Sequence, residues 1–239
     1  MRRWGWTLAL AAIAATSSAL ADIRRPAPWA ITYTAVPITV GATHIFGVEG
    51  VNDELYATGY SRVGKIMPNL SIAVTGAFST RLVVEPQYRF SIVSSKDVTL
   101  TVHHFLINSG YLVYARDETF LYPFLGFGLG NAQLELARHL GGQSFDEALA
   151  SPSNDALLES SAIVLHGGVA ANLWGSGHGD FIGLRTGIVH APGDRAWKRR
   201  GADIYDGPKP PMGGAYFALA VGFRGPGVRQ RPPSFTGRR

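Results

Sequence analysis

The chain has 239 residues, of which 29 are glycine, none is cysteine and 16% are charged. Without cysteine the fold has no disulfide bonds to stabilise it, and the length suits one domain. The formal net charge is +5, but no basic run is interleaved with aromatic residues as in nucleic-acid-binding domains. The composition therefore excludes a disulfide-stapled module and argues against a nucleic-acid partner.

Residues 1–21 have the layout of a cleavable secretory signal peptide. Arg2 and Arg3 precede an apolar run, which ends in a small-residue site at Ala19 and Ala21. Cleavage there would remove two arginines and no acidic residue, leaving 20 basic against 17 acidic residues and a formal charge of +3. We expect an exported protein whose mature part begins at Asp22.

The first mature segment, residues 30–62, allows two interpretations. Stretches 31–40, 43–51 and 55–63 each have strand character. If the segment supplies one strand, the whole chain forms about eight strands. If it supplies three, the number rises to about ten.

Two segments with period-two alternation follow. Residues 69–78 and 82–92 each place apolar side chains on one face and small or polar side chains on the other. In the second segment, Glu85, Gln87 and Arg89 lie opposite an apolar face. The connection between the segments is short, so we expect them to pair as a hairpin.

The next two segments, 98–116 and 120–138, are also predicted strands, each with one irregularity. Residues 108–110 interrupt the first, which predicts a bulge or a turn there. In the second, Gly126, Gly128 and Gly130 lie opposite large apolar residues, but the phase of the pattern shifts near Asn131. A bulge near Asn131 would explain that shift.

The remaining strands are predicted at 161–173, 181–190 and 213–223, and long polar loops at 139–160 and 191–211. Long and short connections alternate, as in outer-membrane barrels with external loops and short periplasmic turns. The barrel domain is therefore expected to span 22–224 and to end on the periplasmic side. Residues 225–239, rich in proline, glycine and arginine, are expected to form a flexible basic tail.

The alternation predicts an all-β fold, an antiparallel up-and-down transmembrane β-barrel. No stretch after residue 21 approaches the roughly 20 apolar residues that a membrane helix needs, so only closed β-structure would span a bilayer. The apolar faces would contact lipid, while small and polar side chains would fill the narrow interior. The competing hypothesis is a soluble secreted barrel that binds an apolar ligand inside.

Segments 121–137, 181–192 and 213–224 resemble the small outer-membrane β-barrel domain family of Gram-negative bacteria. The resemblance implies an outer-membrane location, but this architecture hosts adhesins, stability factors, small channels and lipid-modifying enzymes. The last strand also resembles the signal that the barrel-insertion machinery recognises, with alternating apolar residues up to Phe223. It departs from that signal at Ala218, where glycine is usual, and in the residues that continue after Phe223.

Five polar residues are predicted to point into the lumen, and their binding role, if any, is left open: Glu85, Gln87, Arg89, His166 and Arg185. They would either line a polar pore or form a salt-bridged plug, and the narrow interior favours the plug. If so, removing either arginine should destabilise the barrel by leaving a buried acid unpaired.

Other candidate chemistry is weak. His103 and His104 do not have the spacing to Ser109 that a catalytic serine, histidine and acid arrangement of a lipid-modifying barrel enzyme would show. On a strand the two histidine rings also point to opposite faces. No metal site or cofactor is predicted. Six aromatic residues would form belts at the membrane interfaces or belong to the core: Tyr60, Tyr88, Tyr111, Tyr114, Tyr122 and Trp174.

The predicted function is a non-enzymatic outer-membrane barrel with a structural or surface-interaction role. Its expected partners are outer-membrane lipid, the barrel-insertion machinery during assembly, and an external ligand reached through loops 139–160 and 191–211. A narrow channel and a lipid-modifying barrel enzyme are the alternatives within the membrane.

Overall fold

The computed structural model describes residues 31–78, 81–116, 119–137, 156–175, 180–193, 196–199, 202–204 and 207–224. The predicted signal peptide and basic tail lie outside these ranges. None of the described helices is long and apolar enough to cross a membrane. The elements are β1 (Ile31–Ile45), α1 (Val48–Ala57), β2 (Ile66–Ala73), β3 (Thr75–Phe78), β4 (Leu82–Ser94), β5 (Val98–Tyr111), β6 (Tyr114–Arg116), β7 (Thr119–Leu136), β8 (Ala156–Gly175), β9 (Asp180–His190), β10 (Trp197–Arg199), β11 (Ala202–Ile204) and β12 (Gly214–Arg224).

The described strands close into an antiparallel barrel with eight staves. Strands β2 and β3 form one stave, since both pair with β1 and with β4. Strands β4, β5, β7, β8, β9 and β12 follow in order, each pairing with the next. Closure comes from β12 and β1, which pair from Ala35 opposite Arg224 to Ile45 opposite Gly214. The predicted barrel of about eight strands is confirmed.

The ten-strand alternative is wrong, because the first mature segment holds one barrel strand and a helix. Strand β1 ends at Ile45, and Gly47 then adopts a left-handed conformation (φ 74°) that turns the chain into α1. Val48, Val51 and Leu55 recur at the three- and four-residue spacing of a helix, and all three are buried. Apolar residues of these types occur both in strands and in helices, so the composition of this stretch does not distinguish a helix from further strands.

The predicted bulge near Asn131 is also wrong. Strand β7 keeps an unbroken register with β5 from Gly110 opposite Phe124 to Val98 opposite Leu136, and with β8 from Phe120 to Leu136. Even-numbered side chains point inward throughout, so Leu134 is a buried interior residue. The pattern changes because the interior itself becomes apolar at this end of the barrel.

The polar stretch at residues 108–110 is neither a bulge nor a turn. Strand β5 passes through it without a register shift, and Asn108 points into the interior. Residues 156–160 of the predicted first loop belong to β8, while 139–155 lie outside the described residues. Within the predicted second loop, β10 and β11 form a small hairpin that pairs with β8.

The two ends of the barrel differ. One end, here called the loop end, carries the connections 46–65, 137–155 and 191–213 and the tight turn 95–97. The other, the turn end, carries the connections 79–81, 112–118 and 176–179, and both the start of β1 and the end of β12. The chain thus leaves the barrel at the turn end, as the alternation of connection lengths predicted.

The described interior is filled in three layers. The loop-end cluster combines α1 with the facing strands and contains Ile45, Val48, Val51, Leu55, Val63, Met67, Val98, Leu100, Val102, Ala132, Leu134, Trp197 and Met212. The turn-end cluster contains Tyr33, Ala35, Ala77, Val83, Leu112, Ala115, Phe120, Tyr122, Phe124, Ala170 and Phe181. Polar side chains occupy the layer between them.

Candidate functional site

The five polar residues predicted to face the lumen meet in this middle layer. Glu85, Gln87 and Arg89 are alternate inward positions of β4, whereas His166 lies on β8 and Arg185 on β9. Each side chain is less than 5% exposed. Strand alternation brings them inward, and closure of the barrel then places β4 opposite β8 and β9. We refer to these residues and their hydrogen-bond partners as the polar layer.

The centre of the polar layer is an ion pair between Glu85 and Arg185. The two terminal guanidinium nitrogens of Arg185, Nη1 and Nη2, donate to the two carboxylate oxygens, with Nη2 lying 2.6 Å from Oε2. Oε2 also accepts from Thr75 Oγ1 at 2.6 Å and from the Tyr122 hydroxyl at 2.9 Å. The buried carboxylate is therefore compensated by one cation and by neutral donors from two further staves.

Asn108 links this pair to the rest of the polar layer. Its amide nitrogen donates to Gln87 Oε1 at 3.2 Å and to Glu85 Oε1 at 3.4 Å. Gln87 Nε2 then donates to Ser71 Oγ at 2.9 Å, and Ser71 shares a 2.6 Å hydrogen bond with Thr39. The network thereby joins β1, β2, β4 and β5 through side chains as well as through the backbone ladder.

His166 connects Asn108 to Tyr216 across the barrel. Its Nδ1 lies 2.7 Å from Asn108 Oδ1, and its Nε2 lies 2.9 Å from the Tyr216 hydroxyl. Since the amide oxygen only accepts, Nδ1 carries the proton and Nε2 of the neutral ring accepts from Tyr216. Both ring nitrogens are therefore used in structural contacts.

Arg89 differs from Arg185 because no acid pairs with it among the described residues. Its guanidinium stacks on the ring of Tyr216, with Cζ 3.5 Å from the ring centroid. The prediction that removing Arg89 would leave a buried acid unpaired is therefore wrong, because Glu85 forms its ion pair with Arg185. The sequence shows two inward arginines and one inward acid but not which pair forms.

Three important members of the polar layer were not among the predicted site residues: Asn108, Tyr122 and Tyr216. Tyr122 has the same parity as Gly126 and Gly128, so the alternation already indicated an inward ring. It is 1% exposed and does not belong to an interfacial belt. Tyr216 likewise shares its face with inward alanines, and Asn108 becomes an interior residue once β5 is read without interruption.

The outer face of the barrel is apolar over its middle. Large hydrophobic side chains are exposed on every stave; examples are Val40, Leu70, Ile92, Phe105, Leu125, Ile163, Ile188 and Leu219. Tyr111 and Tyr114 are half exposed near the turn end, in keeping with an aromatic belt, while Tyr60 packs against the loop-end cluster. The side chain of Trp174 lies outside the described part of the structure.

The outer face becomes polar toward the loop end. On the paired strands β7 and β8, Leu129 and Ile163 are followed by Asn131 and Ser161, which share a 3.0 Å hydrogen bond. One step further, Gln133 Nε2 donates to Glu159 Oε1 at 3.2 Å. The boundary between Leu129 and Asn131 marks where the apolar outer face ends.

Above that boundary, the described residues form a projecting sheet edge. Lys198 of β10 lies opposite Glu159 of β8, and its Nζ is 3.5 Å from Asp203 of β11. On the neighbouring helix α1, Glu49 accepts a 2.8 Å hydrogen bond from Lys65. These exposed charges of both signs, together with α1, make up the loop-end surface.

The candidate catalytic residues do not assemble. His103 points outward, where its Nδ1 lies 2.7 Å from the Tyr88 hydroxyl. His104 points inward and donates from Nε2 to the Met212 carbonyl at 2.9 Å. Ser109 is exposed on the outer face. Within the described ranges, no group of three or more histidine or acidic side chains is placed to hold a metal ion.

Comparisons with known proteins give no family model and no curated protein that matches this chain. Among solved structures, Ail, the attachment invasion locus protein of Yersinia pestis, is similar at 11% identity, covering 82% of this chain and 99% of that chain with a TM-score of 0.46. Ail in complex with the heparin analogue sucrose octasulfate matches at 12% identity, 81% and 99% coverage and a TM-score of 0.42. Identity this low transfers no function from Ail to this chain.

Proposed function

We propose that this protein is a sealed outer-membrane barrel that presents its loop-end surface to the outside, with a structural or surface-interaction role and no catalytic one. The observation that carries the proposal is the sorting of side chains: apolar residues are exposed on the outer face of every stave, while charged and polar residues are buried inside. A soluble barrel sorts its side chains the other way.

The height of the apolar outer face supports a membrane location. On β8 the outward apolar positions run from Ile163 to Leu173, about 33 Å along the strand at ~3.3 Å per residue. A strand tilted by about 40° carries that run across roughly 25 Å of membrane, which matches the apolar band of known barrels. The change to Asn131 and Ser161 then falls at the interface with water.

The filled interior supports a barrel without an open channel. Two apolar clusters close off the ends of the polar layer, and the Glu85–Arg185 pair spans its centre. We therefore expect purified protein in planar bilayers to show no stable single-channel conductance under conditions in which an open porin conducts. Steady ion currents would favour the channel alternative instead.

The membrane proposal itself is tested by cell fractionation and gel mobility. The protein should be recovered with the outer membrane and should migrate differently before and after boiling, because closed barrels resist unfolding by detergent. Recovery in the soluble periplasm, with no change on boiling, would favour the soluble ligand-binding barrel.

Orientation and assembly have separate tests. Trypsin added to intact cells should cleave after Lys198 or Arg199, which are exposed at the loop end. Protection of both sites in cells, with cleavage only after lysis, would reverse the proposed orientation.

We also propose that the barrel-insertion machinery recognises β12. Phe223→Ala should therefore slow assembly in cells. Phe217→Ala, which removes another exposed aromatic residue of β12, serves as the control.

A further inference from the structure

Arg89 is a buried cation whose hydrogen-bonding capacity is largely unused. The residue is 1% exposed, and its Nε and Nη1 are buried without a hydrogen-bond partner among the described residues. The stacked ring of Tyr216 offers its π-face to the guanidinium but no acceptor for these two in-plane nitrogens. A buried donor without a partner costs free energy, more so when it is charged.

The formal charge of the described interior does not balance. Three of its buried side chains carry a full charge: Glu85, Arg89 and Arg185. Glu85 makes its bidentate pair with Arg185, so one positive charge remains at Arg89. A single cation without a counter-ion is unfavourable in an interior of low dielectric constant.

A small cavity adjoins Arg89 on its loop-end side. It has room for little more than one water-sized particle, and it is lined by Arg89, Ser91 and Thr43 together with apolar residues and residues 211–214. Thr43 Oγ1 accepts a 3.0 Å hydrogen bond from Asn69, so its own proton is available to a cavity occupant. Arginine and hydroxyl groups are therefore the donors that this cavity offers.

His104 also lines the cavity, but it supplies no donor. Its Nε2–H is used in the hydrogen bond to the Met212 carbonyl, which leaves Nδ1 of the neutral ring as an acceptor. An occupant that accepts hydrogen bonds would therefore be held by Arg89 and not by His104. The main-chain carbonyl of Met212, which would repel an anion, is occupied by His104.

We propose that this cavity is a binding site for a small monovalent anion, of which chloride is the representative, held by Nε and Nη1 of Arg89. The anion supplies both the missing acceptor and the missing negative charge. A water molecule would supply the acceptor and a donor for Nδ1 of His104, which has no partner among the described residues, but it would not supply the negative charge. The site is buried beneath the loop-end cluster, so the ion is taken up as the barrel folds and acts as a structural counter-ion.

The direct test uses bromide as the probe. The wild-type protein is refolded and crystallised in bromide without chloride, and anomalous scattering then locates bound bromide. We expect an anomalous peak within hydrogen-bonding distance of Arg89 Nε and Nη1. Density there without anomalous signal, or bromide found only at surface cations, would overturn the proposal.

Equilibrium unfolding gives a second readout that does not depend on crystals. The unfolding constant in urea should fall by about tenfold for each tenfold rise in chloride above the dissociation constant, measured at fixed ionic strength with sulfate as the replacement anion. Sulfate is too large and too highly charged for the cavity. Equal stability in chloride and sulfate would contradict the site.

Two variants locate the effect. Arg89→Gln should remove the chloride dependence, whereas Lys198→Gln, which removes an exposed cation at the loop end, should leave it intact. If Arg89→Gln fails to refold, the bromide map of the wild-type protein still decides the matter. Chloride dependence that persists in a folded Arg89→Gln variant would place the anion elsewhere and refute the assignment.

Discussion

Replacing Arg185 with methionine tests the ion pair at the centre of the barrel. The substitution keeps much of the side-chain volume but removes the two hydrogen bonds that Arg185 donates to the carboxylate of Glu85. Glu85, which is 1% exposed, would keep its donors Thr75, Tyr122 and Asn108. The variant therefore measures how much the free energy of unfolding decreases when a buried carboxylate loses its paired cation.

The expected loss is large. Two charge-assisted hydrogen bonds contribute about 1.5–3 kcal/mol each, and breaking a buried pair by removing one partner costs about 3–5 kcal/mol. We expect the free energy of unfolding to decrease by an amount within that second range. The decrease should lie toward the lower end, because the positive charge of Arg89 lies in the same layer. This corresponds to a rise of roughly 10²- to 10³-fold in the unfolding constant.

The assay is urea unfolding of protein refolded into lipid vesicles, followed by tryptophan fluorescence and by gel mobility without boiling. Glu85→Gln introduced into the Arg185→Met background should recover part of the loss, because no buried negative charge then remains. Lys198→Met, which breaks an exposed 3.5 Å ion pair with Asp203, is the control and should cost at most about 1 kcal/mol. A loss below about 1 kcal/mol for Arg185→Met, or a further loss on adding Glu85→Gln, would refute the reasoning.

Three further predictions concern the outer face, the packing and the loop end. Leu219→Arg at the middle of the outer face should destabilise the barrel in vesicles by about 2–4 kcal/mol by urea unfolding, and an unchanged stability would argue against lipid contact there. Gly222→Ala should cost about 1–3 kcal/mol, because the added Cβ would lie 2.0 Å from the ring of Phe181; Phe181→Leu should relieve it, and a purely additive double variant would contradict this clash. Hydrogen bonding to Ser61, through its side chain and through its amide, which donates to Asp97 at 3.0 Å, lowers the pKa of this partly buried carboxyl. The contact therefore stabilises the loop end above the ordinary pKa of aspartate and is lost as the pH falls through the lowered one. The protection factor of the Ser61 amide, which corrects for the intrinsic pH dependence of exchange, should therefore fall only in acid, and Asp97→Asn should remove that fall.

Much of the barrel was predictable from alternation alone. Leu125, Phe127 and Leu129 are exposed on the outer face as predicted, and Glu85, Gln87 and Arg89 are buried. A β-strand sends successive side chains to opposite faces, so composition along a strand reports directly which face meets which environment. The common end of the long connections followed from the same local signal, whereas the structure was needed to decide between eight and ten strands.

Apart from the expected interruption at residues 108–110 and the belt position of Tyr122, the failed expectations concern the barrel ends and the pairing of interior residues. The alternation changes phase at Leu134 in the sequence pattern, because this apolar residue occupies an inward position where small or polar residues are expected. It belongs to the same buried cluster as Val51 and Leu55 of α1, which lie more than 70 residues earlier in the chain. A helix that closes the mouth of the barrel changes which inward side chains are favourable, and no local pattern in β7 records that.

Sequence by itself determined the face that each strand residue occupies, since that depends only on the geometry of one strand and the polarity of its side chains. Tertiary structure alone decided which of two inward arginines pairs with Glu85, and which is left facing a cavity. The reason is that β4 meets β8, β9 and β12 inside the barrel only after the sheet has closed. Contacts across the interior depend on the register of every intervening stave, which short-range alternation does not specify.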